Sequence, residues 1–183
     1  MSLAYNNPDN QKRIAEAGGI GMILRMMEVH GTSNAEVAEN GCQALSNLAC
    51  NNADNKMRIG EAAGIGMILR MMEVHGASNA GVANYGCQAL WNFSYNNADN
   101  RKRIGEAGGI GMILRMMEVH GASNAHVAGN GCGVLGMLGL RNDDNKRKIL
   151  ASNGVSMVER MKSTWASKEY VQTYADSALD ILC

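Results

Sequence analysis

The side chains best suited to recognise another molecule fall on one helix face. Glu36, Asn40, Gln43 and Asn47 stand at i, i+4, i+7 and i+11, a spacing that a helix brings onto one side. Tyr85, Gln88 and Asn92 continue that stripe forty-five residues later, and Asn130 takes the place of Asn40 and Tyr85 in a third copy. An amide offers both a hydrogen-bond donor and an acceptor. Tyr85 and Trp91 are of the aromatic type that dominates interface energetics. The stripe reads as a binding surface or as an ordinary solvated face, and Trp91 as an anchor or as packing between repeats.

Other chemistry finds little footing. His30, His75 and His120 share one repeat position, and Cys42, Cys87 and Cys132 share another. Zinc needs all its ligands at about 2.0–2.3 Å from the metal, whereas equivalent residues in a stack lie roughly 9–10 Å apart. The same spacing exceeds the roughly 7 Å limit on Cα atoms joined by a disulfide. The histidines read as helix-ending residues favoured by the dipole. The cysteines read as buried packing thiols of a reducing compartment, the cytosol first and the nucleus second. Gly18-Gly19-Ile20-Gly21 resembles a phosphate cradle but lacks a preceding strand and a following lysine motif. Asn92-Phe93-Ser94 fits a glycosylation sequon within a helical pattern. No nucleophile motif occurs. The expectation is therefore no enzyme, no cofactor and no metal.

Charge narrows the partners. Lys and Arg number 17, Asp and Glu 17, and the net charge is zero. Binding nucleic acid by counterion release needs a basic surface, so none is expected. Lys146-Arg147-Lys148 lies beside Asp143 and Asp144 and reads as a solvated helix face. No apolar run approaches the roughly 18–20 residues of a membrane span, and no signal peptide precedes Leu3.

The elements that position the stripe are set by a repeat. Asn51-Asn52-Ala53-Asp54-Asn55 returns as Asn96-Asn97-Ala98-Asp99-Asn100, and Gly21–His30 returns unchanged as Gly66–His75 and Gly111–His120. A period of this size marks stacked repeats with one continuous core. The chain divides as a single domain, 1–183. It comprises a remnant at 1–5, repeats at 6–50, 51–95 and 96–140, and a divergent, more polar capping repeat at 141–183.

Each repeat reads as three helices. The first starts near Asp54 or Asn55 in the second copy and stops at Ala63-Gly64, where glycine permits a left-handed turn. The second carries Ile65, Ile68, Leu69 and Met72 on its apolar face, with Arg70 and Glu73 outside. The third starts at a Ser33-x-x-Glu36 capping box and buries Val37, Gly41, Ala44, Leu45 and Leu48. Its third copy holds Gly129, Gly131, Gly133, Gly136 and Gly139. At about 0.8–1 kcal/mol of helix propensity each, that helix is expected to be the loosest.

Paired asparagines before helix one, Glu16-Ala17-Gly18-Gly19-Ile20 before helix two and Ala44-Leu45-Ser46-Asn47-Leu48-Ala49 closing helix three resemble the armadillo repeat family. The resemblance implies an all-α, right-handed α-α superhelix (solenoid) of about four armadillo repeats, with the third helices lining a concave groove. It also implies that an asparagine near the end of helix three bonds the backbone of an extended peptide. That residue maps onto Asn47 and Asn92, while Met137 and Ile181 interrupt the series. Gly21, Gly66 and Gly111 stand where the family usually has proline. Nuclear-import adaptors of the family carry tryptophan four residues before the asparagine, where this chain has Gln43, Gln88, Gly133 and Ser177.

The leading expectation is thus a non-catalytic interaction scaffold. It would take a protein or an extended peptide along Asn40, Gln43, Asn47, Tyr85, Gln88, Trp91, Asn92 and Asn130. Import-type binding of basic signals comes second. End-to-end self-association through the truncated first repeat comes third.

Overall fold

The computed structural model describes residues 3–5 and 7–183. Met1, Ser2 and Asn6, the last belonging to the first asparagine pair, lie outside them. The elements are α1 (Pro8–Glu16), α2 (Gly19–Met26) continued by a π-helical turn (Met27–Gly31), and α3 (Ala35–Ala49). Next come α4 (Ala53–Glu61), α5 (Gly64–His75) and α6 (Ala80–Ser94), then α7 (Ala98–Glu106), α8 (Gly109–His120) and α9 (Ala125–Gly139). The last three are α10 (Asp143–Ala151), α11 (Gly154–Thr164) and α12 (Glu169–Leu182). No strand occurs among the described residues. The long helices α3, α6, α9 and α12 pack side by side in that order, and α5 packs on α8 as α8 does on α11. The molecule is an all-α solenoid.

Asparagine starts most of these helices. The side-chain oxygens of Asn7, Asn52, Asn97 and Asn142 accept from the backbone N–H three residues on, at 2.9–3.0 Å. The first helices therefore begin one or two residues earlier than expected. The donors in those contacts are Asn10, Asn55, Asn100 and Asn145, whose own side chains have a different task. Asn100 Nδ2 donates to Lys56 O at 3.1 Å and Phe93 O at 3.1 Å, both in the preceding unit. Asn55 does the same to Gln11 O and Leu48 O, and Asn145 to Arg101 O and Leu138 O. These three amides are 2 % exposed. Each ties the first helix of the preceding unit to a carbonyl near the end of that unit's third helix.

Two local expectations change. The third helices are capped by Asn34, Asn79 and Asn124, each accepting from the N–H groups two and three residues on. Ser33 forms no box with Glu36, so Gly81 and His126 in later copies cost no cap. The left-handed residue that ends helix one is Gly18, Ala63, Gly108 or Asn153, one place before the glycine expected to serve. Gly64 instead lets α5 start against α4, since a Cβ there would overlap Ile59.

The core is built from positions the periodicity marks. Leu45, Leu90 and Leu135 are fully buried, as are Ile68, Ile113, Met72 and Met117. Cys42, Cys87 and Cys132 are buried free thiols, and burial pushes each up to about 12. A Cβ on Gly86 would stand 2.5 Å from Met72 Cγ, and one on Gly131 2.5 Å from Met117 Cγ. Glycine thus admits a methionine between helices two and three.

The histidines join neighbours rather than only ending helices. His75 Nε2 lies 2.7 Å from Gly31 O and His120 Nε2 2.7 Å from Gly76 O. At the next joint Trp165 Nε1 donates to Gly121 O at 2.7 Å, filling the same role with a different ring.

The glycines of α9 are sites of close helix packing. Val134, Leu135 and Leu138 are fully buried, and its glycines are crowded on several sides. A Cβ would meet Tyr170 at 2.9 Å from Gly129, Ala178 Cα at 2.8 Å from Gly136 and Leu182 at 2.8 Å from Gly139. The missing side chains let α12 approach closely. Arg70 and Glu73 form no ion pair among the described residues. The pairs that do form are exposed, such as Lys12 with Glu16 and Arg160 with Glu118.

Candidate functional site

The third helices present two adjoining hollows. The first, of about 320 Å³, is lined by Asn47, Gln88, Trp91 and Asn92 together with Tyr5, Cys50, Asn51, Lys56 and Tyr95. The second, of about 460 Å³, is lined by Tyr85, Gln88, Trp91 and Asn130 with Asn84, His126, Tyr170 and Tyr174. Gln88 and Trp91 line both. Six of the eight residues singled out from the sequence are therefore gathered on one continuous face. Gln43 is half-buried on α3 and lines neither hollow. Asn40 is exposed and borders a separate apolar hollow beside Met22, Ile23 and Met26.

The two asparagines that the resemblance singles out, Asn47 and Asn92, are not equally available. Asn92 Nδ2 donates to Ser46 O at 3.2 Å and to Ser46 Oγ at 2.9 Å, across the joint between copies. Its amide nitrogen is engaged and its oxygen is left to accept. Asn47 makes no side-chain hydrogen bond among the described residues, so its donor and acceptor both remain. Asn130 Nδ2 donates to Asn84 Oδ1 at 2.8 Å, another contact between copies. Part of the amide stripe thus holds the solenoid together, and part faces the hollows.

Trp91 combines packing and surface. Its ring meets Tyr174 edge to face, with centroids 4.8 Å apart and planes at 67°, while it remains half-buried and lines both hollows. His126 stacks on Tyr170 at 5.6 Å. Burial raises the phenol pKa of both Tyr170 and Tyr174. These two tyrosines escaped the sequence reading. One residue fewer between α11 and α12 shifts the last copy by one, so Tyr170 and Tyr174 take the places of His126 and Asn130. Counting back from Ser177 and Ile181 by helical turns would have found them.

Lys56 is the charged group of the first hollow. It is 5 % exposed, donates from Nζ to Tyr95 O at 2.9 Å and lies 5.1 Å over the Tyr95 ring. Burial lowers its pKa, with Cys50 acting weakly in the opposite direction. No Asp or Glu lines either hollow. Among the described residues no group of three or more His, Cys, Asp or Glu is placed to hold a metal ion, and no helix is long and apolar enough to cross a membrane.

No protein-family model matches the chain, and no curated protein does. Solved structures do. A designed armadillo repeat protein in complex with the peptide (KR)4 aligns at 18% identity, covering 99% of this chain and 71% of that one, with a TM-score of 0.82. A second designed armadillo repeat protein aligns at 19% identity over 97% of this chain and 70% of its own, with a TM-score of 0.82. An engineered protein aligns at 17% identity over 98% of this chain and 70% of its own, with a TM-score of 0.85. Near-complete coverage at these scores, with three helices per unit and the third helices in series, gives the chain the armadillo-repeat fold.

Proposed function

We propose that this protein is a non-catalytic interaction scaffold that binds an extended peptide segment along the third-helix face, from Asn47 to the hollow bounded by Tyr85 and Asn130. The observation that carries this reading is the first hollow, where the free amide of Asn47, the free oxygen of Asn92 and the ring of Trp91 meet. A peptide backbone presents alternating donors and acceptors, which such amides pair with irrespective of ligand sequence. The bound peptide of one structural neighbour supports the same mode of use.

A random-peptide display library screened against the protein and against Asn47→Ala/Asn92→Ala tests it. Enrichment by the wild type that disappears in the double variant supports the reading. Enrichment indifferent to both substitutions moves binding to another face.

Binding of basic signals fits less well, because both hollows lack carboxylates and one contains a buried lysine. End-to-end stacking is favoured by exposed Met22, Met26 and Val29 on the first unit. It is opposed at the other end. Gly31, Gly76 and Gly121 receive Met71, Met116 and Met161 at the internal joints, whereas Ala166 follows Trp165 where those glycines follow histidine. Ala166 carries a Cβ where those glycines have none. A monomeric mass by light scattering at rising concentration is the expected result.

A further inference from the structure

We infer that the hollow around Lys56 is an anion subsite that takes the carboxylate of an Asp or Glu side chain in the bound peptide. The inference rests on the peptide-groove reading above and specifies its ligand.

The lysine at this position is not needed to build the fold. The equivalent residue in the first copy is Gln11, whose neutral amide donates to Ala4 O, Asn47 O and Cys50 O at 2.9–3.1 Å. Arg101 donates to Ser94 O and Lys146 to Ile181 O in the later copies. The shared structural task is to satisfy carbonyls at the ends of third helices, and a neutral side chain performs it. Lys56 performs it with one contact, to Tyr95 O. An ammonium has three donors, so two remain in a hollow that it lines together with Asn47 and Asn92.

The charge itself is also unanswered. No carboxylate lies within 4.0 Å of Lys56 among the described residues, and the lining of the hollow contains none. The Tyr95 carbonyl, at the end of α6, and the Tyr95 ring offer only partial negative charge. A cation so buried is held at a cost that a bound anion removes. A carboxylate there would accept from Lys56 Nζ and from Asn47 Nδ2, with the flanking peptide backbone running along the amides. A lysine ammonium meets it as a point charge with rotatable donors rather than as a bidentate fork.

The test uses the whole chain. Lys56→Gln keeps the fold, because glutamine already serves at position 11, and circular dichroism checks this. The display library is screened in parallel against wild type, Lys56→Gln and Asn47→Ala/Asn92→Ala. Recovered peptides are then measured by fluorescence polarisation beside isosteres with Asp→Asn or Glu→Gln.

The wild type is expected to enrich one acidic position and to prefer acid over amide by about tenfold to a hundredfold, as for a charge-assisted hydrogen bond. Lys56→Gln is expected to abolish that preference while keeping binding of the amide peptides. Enrichment of neutral or basic peptides by the wild type, lost in the asparagine double variant, would overturn the carboxylate subsite and leave the groove standing. So would an acidic preference that survives Lys56→Gln. An acidic preference lost in Lys56→Gln but retained in the double variant would uphold the subsite and overturn the amide ladder. No enrichment by the wild type would overturn both.

Discussion

Two glycines one turn apart on α9 should respond oppositely to the same substitution. Gly133→Ala adds a methyl whose nearest neighbours are Trp91 and Tyr174 ring carbons at 3.7 Å, an ordinary van der Waals distance. The gain is the helix-propensity difference, about 0.8–1 kcal/mol. Gly136→Ala has the same propensity gain, but its Cβ would stand 2.8 Å from Ala178 Cα and 3.0 Å from Ala178 Cβ. A backbone Cα and the Cβ fixed to it cannot rotate away, so α9 and α12 must separate. Overpacking of this kind costs about 1–3 kcal/mol. The propensity terms cancel between the variants, leaving a difference of about 1–3 kcal/mol in favour of Gly133→Ala. For a chain of this length that is on the order of 2–12 °C in melting temperature. Urea unfolding monitored by circular dichroism measures both variants, with the slope checked for constancy because long repeat arrays can lose two-state behaviour. Equal stabilisation by the two substitutions would refute the close approach of α9 to α12.

Asn100→Ala removes a buried amide that bridges Lys56 O and Phe93 O. A loss of about 1–3 kcal/mol is expected in the same urea assay, as for a buried carbonyl, that of Phe93, left without its donor. Ala63 and Arg141 occupy left-handed backbone, at φ 61° and 51°, where other copies place glycine or asparagine. Ala63→Gly and Arg141→Asn should each stabilise by about 0.5–1 kcal/mol, read as a higher urea midpoint. In native protein an Ellman titration near neutral pH should find two reactive thiols, Cys50 and Cys183, and five after denaturation.

Because burial raises Cys42, Cys87 and Cys132 to about 12, the unfolded state releases those protons first. Their contribution to stability is intact below the ordinary thiol pKa of about 8.5 and is lost as pH rises from there towards 12. Lys56, lowered by burial, works in the opposite sense as pH approaches the ordinary lysine value of about 10.4 from below. The urea midpoint should therefore fall with pH above about 9. Amides of Met27–Gly31 should exchange faster than those of Met72–Gly76 and Met117–Gly121, measured by hydrogen exchange.

The fold was legible because a repeat states its core many times. Leu45, Leu90 and Leu135, or Ile68 and Ile113, sit at one helical position each, and all are buried. The asparagine motif pointed to helix starts but hid a division of labour. Asn52 caps, while Asn55 reaches back to the preceding unit, and nothing in the residue type distinguishes these tasks. The spacing pointed to six of the residues that line the two hollows, while Asn40 and Gln43, at the same spacing, line neither. Tyr170 and Tyr174 were missed at the single deletion, and Lys56 because it lies on a first helix and enters the hollow from below the stripe. That Asn92 spends its nitrogen on Ser46 follows from how copies are set against each other, which no single helix encodes.

The clearest limit on local reading is a sequence that folds two ways. Gly21–Gly31 and Gly66–Gly76 are identical, yet the first ends in a π-helical turn and the second runs as α-helix to His75. The difference is what lies beside them. Met71 reaches Gly31 of the preceding unit and His75 bonds its carbonyl, which holds the second copy. Met26, in the corresponding place, is 52 % exposed. Identical residues have identical propensities, so the α-helical form of this turn draws its preference from the neighbouring unit. That is how a solenoid distributes stability: each unit is completed by the next, and a substitution at a joint should be felt on both sides of it.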